Sequence, residues 1–174
     1  MLIISDTNIL SSFAAADALS LLTELFSDYT LHIPPAVEKE LEVALDYGKT
    51  HVERVFQALE AGDIQRITPT ETERKLMPAL PHKLHAGERE AIVICQTRKL
   101  PFLSNDRRAV NYCDKNGIRA IPLVVVLRSL WTEKILSKQE VRELIETMAK
   151  VEKLTLNQTQ HDAIFGSRRR RRRR

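Results

Sequence analysis

Leu2-Ile3-Ile4-Ser5-Asp6-Thr7-Asn8 is the stretch that decides the fold. A short apolar run that stops abruptly at Asp-Thr-Asn has the composition of a buried strand passing straight into a helix N-terminus. Similar transitions recur along the chain. Residues 31–33 form a second strand candidate stopped by Pro34-Pro35, and proline is well tolerated in the first turn of the helix that the spacing predicts over 36–47. Residues 101–104 form another, followed by a helix over 105–116 with Gly117 behind it. Brief strands are expected at 64–67 and 118–121, and helices over 9–26, 50–61, 87–99, 123–135 and 138–153. The last is entered through Ser137 with Glu140 three residues on, a capping-box pattern. Residues 70–83 are polar and interrupted by proline. Strands alternating with helices predict an α/β fold with a mostly parallel central sheet covered on both faces.

With 174 residues, 43% hydrophobic and 29% charged, the chain suits one globular domain. Its formal net charge of +4, from 27 Lys and Arg against 23 Asp and Glu, points on its face to a basic nucleic-acid binder. Seven of those basic residues are the consecutive arginines 168–174; without them 20 basic residues face 23 acidic ones and the net charge is −3. A Gly166-Ser167 joint followed by a homopolymer has the character of an appended tag. The expected organisation is a single domain over 1–165, with a helical extension over about 132–165, and a tail over 166–174. The longest purely aliphatic run, residues 123–127, falls far short of a membrane span, and residues 1–6 lack the regions of a secretory signal. Cys95 and Cys113 lie in helix-like apolar patterns, the usage expected of reduced thiols in a cytoplasmic protein.

In an open parallel sheet, ligands bind beyond the carboxyl ends of the strands. Asp6 ends the first strand and Asp106 follows the strand at 101–104 after one intervening residue, so both point into one crevice if those strands are neighbours. Each could instead simply cap the helix that follows it. Glu40 borders the apolar stripe of Val37, Leu41, Ala44 and Leu45 on its helix, whereas Glu38 and Glu42 project elsewhere. Glu88 shares a helix face with Ala91, Ile92 and Cys95, although an acid in a first turn is also favoured by the helix dipole alone. Carboxylates gathered in one crevice repel each other unless their pKa values shift or a cation neutralises them. An all-oxygen set favours Mg2+ or Mn2+, and such ions can activate water and stabilise the attacking and leaving oxygens of a phosphodiester.

Taken in order, Asp6-Thr7-Asn8-Ile9-Leu10, Ile33-Pro34-Pro35-Ala36-Val37 with Glu40-Leu41, Gly87-Glu88-Arg89-Glu90-Ala91-Ile92, and Leu103-Ser104-Asn105-Asp106-Arg107-Arg108 resemble the acidic motifs of PIN-domain nucleases. The resemblance spans about residues 1–130. It implies a three-layer α/β/α sandwich, Mg2+- or Mn2+-dependent endoribonuclease activity, and kinship with VapC toxins of type II toxin–antitoxin pairs. Asp6, Glu40, Glu88 and Asp106 match the family's acidic positions, with Glu90 as the alternative third acid; Asn8 matches a polar residue beside the first aspartate. Extra residues between about 62 and 83, and the extension after Trp131, make the chain more similar to longer prokaryotic PIN-like proteins than to compact VapC toxins.

Arg107 and Arg108 are candidates for holding RNA phosphates, contacts that position a substrate without reading its sequence. An aspartyl-phosphatase would need a second aspartate where Asn8 stands. The non-enzyme alternative is an inactive PIN-like module that binds RNA or protein. Leu127, Leu130, Leu136, Val141, Leu144, Ile145 and Met148 supply apolar surface for either internal packing, a homodimer or a small antitoxin protein.

Overall fold

The computed structural model describes residues 1–166; the expected arginine tail lies, from residue 167 onward, outside the described residues. Five strands, β1 (Leu2–Ser5), β2 (Thr30–Ile33), β3 (Ile64–Arg66), β4 (Phe102–Ser104) and β5 (Ala120–Pro122), form an all-parallel sheet in the order β3-β2-β1-β4-β5. The helices are α1 (Thr7–Ala15), α2 (Leu19–Leu25), α3 (Pro35–Asp46), α4 (Glu53–Ala61), α5 (Glu71–Leu76), α6 (Ala86–Arg98), α7 (Arg107–Lys115), α8 (Leu123–Thr132), α9 (Lys138–Glu152) and α10 (Gln158–Phe165).

Successive side chains on a strand face opposite ways, so each central strand feeds two cores. Ile3 and Leu103 enter one core with residues of α1, α3, α4, α8 and α9, while Ile4 and Phe102 enter the other with α6 and α7. All four are fully buried, and burying a side chain of that size contributes about 1.5–3 kcal/mol. This double coverage is the three-layer α/β/α sandwich. It explains why these strands read as continuous apolar runs.

Three local differences from the expected elements have physical causes. The helix expected over 9–26 is broken between α1 and α2, where Asp17 adopts φ 53°. Aspartate tolerates that left-handed conformation better than most residues, and Arg54 pairs with Asp17 at 2.8 Å and donates to Ala14 O there. Within 70–83, the capping box of Thr70 and Glu73 starts α5, and Arg98 grips the Glu73 carboxylate. Finally, α10 lies beyond the last expected helix. It starts at an Asn157–Gln160 capping box and docks on α8, where Trp131 Nε1 donates to Ile164 O and Arg128 Nη1 donates to the carbonyls of Ala163, Ile164 and Gly166.

Of the apolar set proposed for an interface, Leu127, Leu130, Val141 and Met148 are fully buried and Leu144 and Ile145 nearly so, with Leu136 packed against them. Contacts within this chain cover that surface. Among the described residues, no helix is long and apolar enough to cross a membrane. The two cysteines are unpaired and buried; burial pushes the Cys113 thiol up to about 12 and Cys95 well above its ordinary range.

Candidate active site

The chain order reverses between β1 and β4, making their carboxyl ends the topological switch point of the sheet. The register sets Ser5 beside Leu103, so Asp6 and Asp106 emerge from adjacent strands. Each does cap the helix behind it. Asp6 Oδ1 accepts from Ile9 N–H at 2.8 Å, and Asp106 Oδ1 accepts from Arg108 N–H at 2.6 Å and Ala109 N–H at 2.9 Å. Capping fixes the two carboxylates at the crevice rather than removing them from it.

Ser104 joins them. Its fully buried hydroxyl donates to Asp6 Oδ2 at 2.6 Å and accepts the Asp106 N–H at 3.1 Å. Asn105 N–H adds a longer bond to Asp6 Oδ2 at 3.3 Å. Sequence pattern alone offered only a serine ending a strand before Asn-Asp.

Glu40, on the half-buried border of α3, is held from two sides: Oε1 accepts the Gly87 N–H at 2.8 Å and Oε2 accepts the Thr7 hydroxyl. Its two donors are therefore the neighbours of Glu88 and Asp6. Gly87 is what lets α6 approach so closely, because a Cβ there would stand 2.8 Å from Glu40 Oε2 and 2.9 Å from Val37 Cγ2. Glu88 is buried in the first turn of α6, with Oε2 accepting the His85 N–H at 2.9 Å. Glu90, two residues on, turns toward α3, where Oε2 accepts the Ala36 N–H at 2.6 Å. Glu90 thus supports the N-terminus of α3, while Glu88 lies within electrostatic reach of the other acids.

The charges of this group act on one another. Burial pushes the Asp6 carboxyl up to about 7 against the bonds from Ser104, Ile9 and Asn105, and the charge of Glu88 adds to the rise. Burial likewise raises Glu88, with Asp106 and Glu40 adding to it. Among the described residues, none of Asp6, Glu40, Glu88 and Asp106 has an ion-pair partner. The N-termini of α1, α6 and α7 meet here and supply partial positive charge.

The described side chains do not form a ready-made group of three or more metal ligands. The donor chemistry nevertheless fits a hard divalent cation. All four groups are carboxylates that form no ion pair among the described residues, and among those residues no hydrogen bond takes Glu88 Oε1 or Asp106 Oδ2. At the rim, Asn8 is exposed on the first turn of α1, and Arg107 and Arg108 are exposed on the first turn of α7. The Arg108 side chain reaches back to Lys83 O at 3.4 Å.

A family model described as a PIN domain matches residues 2–166 of the chain. No curated protein and no solved structure matches it.

Proposed function

The chain belongs to the PIN-domain family, whose fold is of nuclease type, and on that premise we propose that it is an Mg2+- or Mn2+-dependent endoribonuclease acting at the Asp6, Glu40, Glu88 and Asp106 crevice. The observation that carries the reading is the gathering of these acids at the switch point with no cationic partner among the described residues. A divalent cation held there supplies activation of water and neutralises charge on the phosphodiester oxygens.

The chain's own residues supply position. Asp6 and Asp106 are locked by their caps and tied together through Ser104, so the two strand-end carboxylates keep a fixed relation. Thr7 and Gly87 hold Glu40, and His85 N–H holds Glu88, so no carboxylate must be ordered when the site fills. The helix N-termini favour the approach of phosphate, and Arg107, Arg108 and Asn8, exposed at the rim, are the residues proposed to hold the RNA backbone.

The test is cleavage of single-stranded RNA in Mg2+ or Mn2+ by a chain ending at Gly166, which keeps every described element. Asp6→Asn should abolish cleavage while the fold is retained, and undiminished cleavage would contradict the assignment. Wild-type chain that binds RNA without cutting it under any metal would favour the inactive binding module. A toxin role is the finer form of the proposal, supported by the order of the acidic motifs. Its test is a small protein encoded beside this one that binds the chain and stops cleavage. Such a partner, or a second copy, would have to use surface other than the buried apolar set of α8 and α9.

A further inference from the structure

Beside the acidic crevice lies a cavity of about 300 Å3 whose far wall belongs to the C-terminal extension. On the near side are Asn8 and Ser12, one turn apart on α1, and Asn105, which bonds Asp6 through its backbone. On the far side are Lys153, Leu154 and Thr155, in the connector between α9 and α10. The lining offers amides, hydroxyls, the Lys153 ammonium and the Glu152 carboxylate around a single aliphatic side chain. Amides and hydroxyls pair with sugar hydroxyls and base edges, and an ammonium pairs with phosphate. The volume is at the small end of ligand sites and suits one nucleotide; Asn8, Lys153 and Thr155 are exposed, so the hollow opens to solvent.

The connector is fastened in this place. Glu152, at the end of α9, accepts from Ser11 Oγ at 3.0 Å and Lys49 Nζ at 3.0 Å and also meets His51 Nε2. These contacts tie α9 to α1 and to the turn at Thr50–Val52. They also occupy the carboxylate that borders the cavity, which would otherwise repel a phosphate. Lys153 then ends α9 at φ 54°, a left-handed conformation in which glycine would be the unstrained residue.

We propose that this cavity is a subsite for the nucleotide flanking the scissile phosphate of single-stranded RNA, with Lys153 as its phosphate-positioning residue and Asn8, Asn105 and Thr155 facing sugar and base. The inference rests on the reading of the acidic crevice as a ribonuclease site, and it gives the C-terminal extension a part in substrate binding.

Lys153→Gly is the informative variant, because it removes the ammonium while relaxing the backbone; Lys153→Arg keeps the charge. In the chain ending at Gly166, KM and kcat are measured on a short single-stranded RNA, and the salt dependence of binding is measured with a slowly cleaved phosphorothioate RNA. Lys153→Gly should raise KM about tenfold, the size of one lost charge-assisted contact, and leave kcat nearly unchanged. Its slope of log affinity against log salt should fall by ~0.7, and Lys153→Arg should restore both. Cleavage by Lys153→Gly with unaltered KM and slope would overturn the subsite and leave the nuclease reading standing. Wild-type chain that neither cuts nor binds RNA would overturn both.

Discussion

Replacing Gly87 by alanine probes the contact on which the crevice is built. An added Cβ would lie 2.8 Å from Glu40 Oε2, 2.9 Å from Val37 Cγ2 and 3.0 Å from Glu40 Cδ. Glu40 can swing away, but only by giving up the Gly87 N–H and Thr7 bonds that position it. Val37 cannot follow, since it is fully buried and a β-branched side chain in a helix has essentially one rotamer. Overpacking of this kind costs about 1–3 kcal/mol, and a lost hydrogen bond to a charged group costs on the order of 1.5–3. The better helix propensity of alanine offsets up to about 1 kcal/mol. The net loss should be about 1.5–5 kcal/mol, which at a urea m-value of about 1–3 kcal/mol/M is a drop of roughly 1–2 M in midpoint. Val37→Ala in the same chain should recover part of that drop, because the two residues share the clash. An unchanged midpoint in Gly87→Ala, or strict additivity with Val37→Ala, would refute the close approach of α6 to α3. Cleavage should fall with stability, since Glu40 is displaced.

Two further outcomes follow from ties outside the crevice. Arg98 holds the Glu73 carboxyl down to about 2, helped by Thr97 and Thr70. A depressed folded-state pKa gives stability that is full above the ordinary 4.5 and lost as pH falls through about 2. Glu73 is buried and Arg98 only partly exposed, and a hydrogen bond to a charged group is worth about 1.5–3 kcal/mol. Urea midpoints of wild type and Glu73→Gln should therefore differ above pH 5 and converge toward pH 2, and a constant gap would contradict the tie. Arg128→Ala removes the donor to three carbonyls at the end of α10. It should speed amide exchange in α10 far more than in β1 and cost about 1–2 kcal/mol; equal protection in both chains would show that α10 is held otherwise.

The central sheet was legible because β1 and β4 carry buried residues on both faces, leaving short apolar runs with an acid close behind. The ordered acidic motifs likewise lie on short segments whose spacing is local. What the sequence hid depends on contacts between distant segments. At the break, Asp17 meets Arg54 of α4, and α10 has one fully buried side chain, Ile164, with its anchoring supplied by Arg128 and Trp131 of α8. Ser104 could not be ranked above other serines until β1 and β4 were adjacent. Spacing alone likewise could not tell Glu88 from Glu90, because the partner of the Glu90 carboxylate, the Ala36 N–H, lies on a distant segment. The apolar surplus of α8 and α9 resembled an interface only while its covering elements, α1 and α10, were out of view.

A ribonuclease site of this kind requires the crevice carboxylates to form one divalent-cation site. Calorimetric titration of Mn2+ into the chain ending at Gly166, beside its Asp106→Asn variant, tests it most directly. Saturable binding is expected in the wild type and loss of that binding in the variant, which keeps the fold because asparagine also caps helices well. No binding by the wild type, or equal binding by both, would contradict it.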